Sequence, residues 1–267
     1  MVKRIESTNK KLPKKMALFI GCLKIPWQRD REKMDLSTEK TPQQKLSKYC
    51  LDNVSAVNVT HLPIHNLKAV ARACDELNQQ AGYNKAVPHV AARNIKNEQE
   101  LEDFIKFCIS KRIDKALVIG GSTPRKETNV FKNDVAVATI LKGANITVDC
   151  GIYPQNETAL EIKTKLGIFE NAISQLCMNP DAINNLPLLD TIRIGVPSMC
   201  SVKGIYKYLK LCGNDSYKYI FKNWMALNYL GTDGIRVDKF IQKLKFSNYH
   251  IYNFGKLDKT ISKLLNH

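Results

Sequence analysis

At 267 residues, with 44% hydrophobic and 25% charged side chains, the chain is long enough for a sizeable core and its composition excludes a wholly disordered protein. The longest apolar run, residues 16–23, is too short to cross a bilayer, and Lys24-Ile25-Pro26-Trp27 follows where a secretory leader would carry a cleavage site; a cytoplasmic protein is expected. The net charge of +16 is Lys-rich and spread along the chain without a nucleic-acid motif, so a solvated surface rather than a polynucleotide partner is expected.

Residues 1–33 carry an excess of positive charge. Lys10, Lys11, Lys14 and Lys15 read as a basic N-terminal extension, and residues 34–267 as one domain. From residue 35 the pattern alternates. Residues 35–41 form a short strand stopped by Pro42, and 43–52 have helical spacing. Residues 54–60 are a β-branched strand, and 65–80 place Leu67, Val70, Ala71, Cys74 and Leu77 on one helical face. Strand 86–92 precedes an amphipathic helix at 98–112, and strand 116–121 closes on Gly120-Gly121. A helix at 130–142, a strand at 147–154, a helix at 157–166 and a strand at 172–177 continue the alternation. A short helix at 181–189 leads to strand 191–196. Helices at 202–212, 215–230 and 233–246 precede strand 249–254 and a last helix at 257–265.

Eight strands, each followed by at least one helix, imply a parallel sheet clad in helices. The doubly wound rival has fewer strands and, in its nucleotide-binding form, a G-x-G-x-x-G turn that is absent here. The predicted fold is therefore a single-domain (β/α)8 barrel. The eight cysteines stand singly without a C-x-x-C, so buried reduced thiols are expected rather than a disulfide framework or zinc site. His61 and His65 are four apart, but no further ligand completes a metal site.

Active sites of this fold lie where the strands end. Those ends offer Glu39; Thr60 with His61; His89 with Arg93; Gly120-Gly121-Ser122; Tyr153 with Gln155; Gln175; Pro197-Ser198; and Asn253. Glu39 is the carboxylate of the set. It reads either as a general acid desolvated in the barrel mouth or as an exposed or salt-bridged glutamate beside Lys40. The double glycine either lets a flat ring or phosphate approach the backbone or makes a tight turn. His89 reads as a ligand-orienting or a core residue, and the Gln175 amide can donate and accept at once.

Together these residues resemble the methylenetetrahydrofolate reductase family, notably its short bacterial members. Ser37-Thr38-Glu39-Lys40-Thr41-Pro42 is similar to the family's first-strand Ser-Phe-Glu-Phe-Phe-Pro, and Val57-Asn58-Val59-Thr60 to its Val-Ser-Val-Thr. Pro88-His89-Val90 resembles Pro-His-Leu, and Leu117 to Gly121 stands where the family has a strand ending in Arg-Gly-Asp or Gly-Gly-Asp. Tyr153-Pro154 matches Tyr-Pro, and Lys165 with Ala172 to Gln175 resembles a Lys followed by an Ile-Thr-Gln strand. Gly195-Val196-Pro197, Leu211-Cys212-Gly213 and Tyr252 to Gly255 also resemble the short members, so the likeness runs from about residue 35 to residue 267.

The resemblance implies FAD on the C-terminal face and Glu39 as the catalytic acid that protonates a folate nitrogen. It implies hydride exchange between flavin and the one-carbon unit, interconverting 5,10-methylene- and 5-methyltetrahydrofolate in one-carbon metabolism and methionine biosynthesis. Thr60, His89, Gly120, Gly121, Ser122, Tyr153 and Lys165 fall at flavin-contact positions and Gln175 at a folate-contact position. The expected partners are a tetrahydrofolate derivative and NAD(P)H or another electron partner; a homo-oligomer is compatible with the sequence. Ser122 departs from the family's Asp, Gly120 from a frequent Arg, and Thr38, Lys40 and Thr41 from aromatic or apolar residues. A flavin-free pterin-binding barrel such as a methyltransferase, and a member that has lost reductase activity, are the alternative readings.

Overall fold

The computed structural model describes residues 34–82, 85–121, 130–131, 133–187, 190–199, 201, 230–231 and 234–266. The strands are β1 (Leu36–Lys40), β2 (Ala56–Val59), β3 (Ala86–Ala91), β4 (Lys115–Ile119), β5 (Thr147–Ile152), β6 (Ala172–Ser174), β7 (Ile192–Pro197), a two-residue ribbon of β8 (Leu230–Gly231) and β9 (Gly234–Ile235), and β10 (Tyr249–Tyr252). The helices are α1 (Lys48–Asn53), α2 (Leu67–Ala81), α3 (Glu98–Ser110), α4 (Asp134–Gly143), α5 (Ala159–Leu166), α6 (Pro180–Asn184), α7 (Val237–Ile241) and α8 (Leu257–Leu265).

The ring β1-β10-β7-β6-β5-β4-β3-β2 is closed and its neighbours pair in parallel. The (β/α)8 barrel expected from the alternation is the observed fold, and each predicted barrel strand has its counterpart. The predicted helix over 202–212, that over 215–230 except its last residue, and the basic extension over 1–33 lie outside the described residues. The helices expected to end at 230 and to start at 233 are corrected: β8 and β9 pair there as an antiparallel ribbon, and the second helix is cut down to the short α7. Gly231 and Gly234 disfavour helix by their backbone entropy, which outweighs the helical spacing of the apolar residues around them.

Helix starts follow their caps. Ser47 caps α1 by accepting from the Cys50 amide at 3.0 Å, so the helix begins at Lys48 and not at the expected residue 43. Asn66, Asn97 and Asn133 cap α2, α3 and α4 in the same way, and Thr158 with Glu161 forms a capping box on α5. Pro180 sits in the first turn of α6, where its missing N–H costs nothing.

The main core is the sheath between strands and helices, for example Val57, Val70, Cys74, Val118, Leu141, Ile194 and Ile261. A small second core of Val87, Leu117 and Ile173, with Ala56 and Ile119 packed on it, lies inside the ring. Cys50, Cys74, Cys108, Cys150 and Cys177 are buried free thiols, as expected.

The strand registers sort the inward residues into tiers drawn from alternate strands. Ser37, Val87, Asp149 and Arg193 share the lowest of those that concern the site. Asn58, Leu117, Ile173 and His250 come next. Above them are Glu39, His89, Gly151 and Gly195, and then Thr60, Ile119, Gln175 and Tyr252. The two charged members of the lowest tier are each paired with a residue outside it: Arg193 binds Asp35, and the Asn171 amide donates to Asp149 at 2.8 Å. Burial pushes the Asp149 carboxyl up, with Asn171 opposing.

Candidate active site

Glu39 lies on the inward face of β1 and is 4% exposed, which removes the reading as an exposed glutamate and leaves that of an ion-paired one. It stands in register with Asn58 on β2 and shares its tier with His89. Lys40 takes the opposite face, where burial lowers its ammonium pKa. Pleating explains the split, since consecutive side chains of a strand point to opposite sides.

Burial holds His89 and His250 neutral, with pKa values pushed down to about 3. After burial, His61 disfavours positive charge on His89, and His89 and Arg193 disfavour it on His250. Below Glu39, the Ser37 hydroxyl and His250 Nδ1 are hydrogen bonded at 2.9 Å, which ties β1 to β10 inside the ring. His61 accepts from the Ala91 amide at Nδ1, 3.2 Å away, and its pKa falls to about 4 through burial. No cluster of metal-ligating side chains occurs among the described residues.

The tier above Glu39 holds Thr60, whose hydroxyl donates to the Lys40 carbonyl at 3.3 Å, and Gln175, whose amide nitrogen in the backbone donates to Ile152 at 2.7 Å. Tyr252 completes it. A Cβ on Gly195 would lie 2.5 Å from Tyr252 Cε2 and 2.3 Å from the Ser174 carbonyl, so the ring fills the notch that the glycine leaves. The Tyr252 hydroxyl donates to that same carbonyl at 3.0 Å, one residue before Gln175. Tyr252 also meets His250 edge-on, with centroids 5.0 Å apart, and stacks on Phe254 at 6.4 Å.

Gly120 and Gly121 follow β4 and form a turn clamped by Arg93. The Arg93 backbone N–H and Nε donate to the Gly120 carbonyl at 3.1 and 2.9 Å, and Nη2 donates to the Gly121 carbonyl. Gly121 has φ +89°, a left-handed conformation that favours glycine. A side chain on Gly120 would meet the guanidinium at 3.6 Å, so the shelf expected for a flat ring has a cation beside it. Ser122 lies outside the described residues.

Tyr153 and Lys165 belong to a third cluster. Glu157 accepts from the Tyr153 amide at 2.9 Å and pairs with Lys165, which also donates to the Gly151 carbonyl at 3.2 Å. The Lys165 ammonium lies 5.6 Å from the Tyr153 ring centroid. Burial would depress the Lys165 pKa, but Glu157 outweighs it and the net shift is upward. Lys165 is thus engaged within the protein.

The structure therefore brings Glu39, His89, Thr60 and Gln175 into adjacent tiers, places the double glycine and Tyr153 just past the ends of β4 and β5, and keeps Lys165 on α5. Strand-end reasoning missed Asn58, Tyr252 and the clamping role of Arg93. It chose Asn253 at the last strand, yet Asn253 Oδ1 accepts from the Gly255 amide at 3.2 Å in a local turn, while Tyr252 takes the inward position. Counting in twos back from Thr60 would have found Asn58.

No family model matches this chain, and no curated protein matches its sequence. Solved structures do. A mutant tryptophan synthase alpha-subunit from Pyrococcus furiosus is 10% identical with a TM-score of 0.50, over 87% of this chain and 98% of that one. A GH18 chitinase from Pseudoalteromonas aurantia is 11% identical with a TM-score of 0.47, over 86% and 99%. A 2,3-dimethylmalate lyase is 7% identical with a TM-score of 0.46, over 89% and 82%. At these identities the likeness is one of fold. No helix among the described residues is long and apolar enough to cross a membrane.

Proposed function

We propose that the protein is an enzyme, a flavin-dependent oxidoreductase that interconverts 5,10-methylene- and 5-methyltetrahydrofolate. The observation that carries the reading is the position of Glu39: an inward, buried carboxyl in the upper half of the barrel, one tier beneath the Gln175 amide. The resemblance of the strand-end motifs to methylenetetrahydrofolate reductases supplies the substrate class.

The residues suit a flat heterocycle edged with carbonyl oxygens and ring nitrogens. Thr60, the Gln175 position and the Gly120–Gly121 turn beside the Arg93 guanidinium lie in the tier and at the strand ends above Glu39. FAD, when bound, would accept or deliver the hydride, with NAD(P)H or another carrier as its electron partner. Thr60, His89, Gly120, Gly121 and Tyr153 would hold the flavin, and Gln175 the pterin edge. Glu39, buried inside the ring, would supply the proton to the folate nitrogen. Closely packed tiers fix the acid and the amide relative to each other, which turns the reaction into a positioned one.

The test is the absorbance spectrum of the purified protein and its bleaching by 5-methyltetrahydrofolate without oxygen. A flavin spectrum that bleaches is expected, and Glu39→Gln should keep the flavin while losing at least ~100-fold in folate turnover, the usual scale for a general acid. A preparation that stays colourless and inactive with added FAD refutes the reading. One observation favours a flavin-free pterin-binding barrel instead: Lys165, expected at a flavin contact, is occupied by Glu157 and the Gly151 carbonyl. Folate binding and methyl transfer without any flavin signal would decide for it.

A further inference from the structure

We infer that Asn58 and His89 hold a buried water against the carboxyl of Glu39, and that Asn58 is the positioning residue for that acid. The site lies inside the ring, where three inward residues of β1, β2 and β3 meet. Asn58 is 1% exposed and His89 8% exposed, and Nδ2 of the first and Nε2 of the second have no hydrogen-bond partner. Asn58 stands beside Glu39 in the β1–β2 register, about 4.8 Å away along the hydrogen-bonding direction. His89 shares the tier of Glu39, and Asn58 lies one tier below both.

The chemistry of the atoms narrows the occupant. The Nδ2 group only donates, so its partner must accept. A neutral imidazole nitrogen either donates or accepts. A carboxyl beside them does whichever its protonation allows. Water satisfies all of these at once, and three partners is the usual number for a buried water. A hydrophobic occupant would leave both nitrogens unpaired, and a cation would face the donor hydrogens of Nδ2.

The consequence for Glu39 is orientation. A water held from below by Asn58 donates into one carboxyl oxygen and so fixes how the carboxyl is turned. Loss of that donation destabilises the carboxylate and raises the acid's pKa. This positioning role rests on the proposed reading of Glu39 as the acid; the water site does not.

A high-resolution crystal structure of the full chain, without added ligand, tests the site. We expect an ordered water within about 2.7–3.2 Å of Asn58 Nδ2, His89 Nε2 and a Glu39 oxygen, and its loss in Asn58→Leu. Wild-type density without that water, or a water unmoved in Asn58→Leu, overturns the site. The positioning role is tested by the pH profile of 5-methyltetrahydrofolate oxidation. Asn58→Leu should move the apparent pKa of the acid upward by about one unit, and Asn58→Ser, which keeps a donor, should move it less. Identical profiles in an active Asn58→Leu protein overturn that role. Should Asn58→Leu fail to fold, Asn58→Asp removes the neutral donor in the same shape and should raise the acid's pKa through its like charge. A water present in a protein that binds no flavin and turns over no folate refutes the proposed function and leaves the site standing.

Discussion

Lowering the pH from 7 to 5 should destabilise this protein far more than its surface charges would suggest. Three histidines inside the ring or at its rim are kept neutral by burial, His61 at a pKa of about 4 and His89 and His250 at about 3. In the unfolded chain each titrates near 6.5. Between those values the unfolded state binds more protons than the folded one, so stability falls as the pH falls. The loss begins below about pH 6.5 and is complete only near the folded values. At pH 5 an unfolded histidine lies 1.5 units below its pKa, and at 1.36 kcal/mol per unit each site costs about 2 kcal/mol. The three together reach roughly 6 kcal/mol, comparable to the whole stability of a typical domain. Asp149, whose carboxyl burial pushes up, acts in the opposite direction. Urea unfolding at pH 7, 6 and 5, followed by circular dichroism, measures the effect as a falling midpoint. A midpoint that stays flat over this range, or histidine ring resonances that titrate near 6.5 in the folded protein, would refute the account.

Three further outcomes are expected. Gly195→Ala puts a methyl where Tyr252 Cε2 and the Ser174 carbonyl leave no room; it should cost about 1–3 kcal/mol by thermal unfolding and alter the near-UV signal of the tyrosines. Thr158→Ala breaks the capping box of α5 and should lower stability by about 1 kcal/mol, read as a shifted denaturant midpoint. Glu157→Gln removes the charge that holds Lys165; the Tyr153 phenol, pushed up by burial and drawn down by Lys165, should then titrate at lower pH in an ultraviolet titration.

The barrel was legible because short strand-like runs, set off by Pro42 and Gly120-Gly121, alternate with segments of helical spacing; helix starts were less so, since the caps Ser47 and Asn133 fall inside the helices expected over 43–52 and 130–142. The ribbon at Leu230–Gly231 and Gly234–Ile235 was not, since apolar spacing alone favoured helix there. Glu39 was legible as a strand-end carboxylate. Its surroundings were not, because which neighbour faces inward depends on register between strands far apart in sequence: Asn58 is set beside Glu39 by β1–β2 pairing, and Tyr252 over Gly195 by β7–β10 pairing. Lys165 looked like a cation for a ligand because its partner, Glu157, lies eight residues earlier across the turn from β5 into α5, where no helical spacing connects the two.

Closure of the ring by β10 between β1 and β7 has a consequence for biosynthesis. Of the eight ring strands, the one made last seals two sheet edges, and it brings the tyrosine that roofs Gly195. Until residues 249–252 arrive, the nascent chain presents two open strand borders, the kind of surface that invites pairing with other chains. Cells making this protein slowly, or truncating it near its end, should see aggregation rather than a partly working barrel.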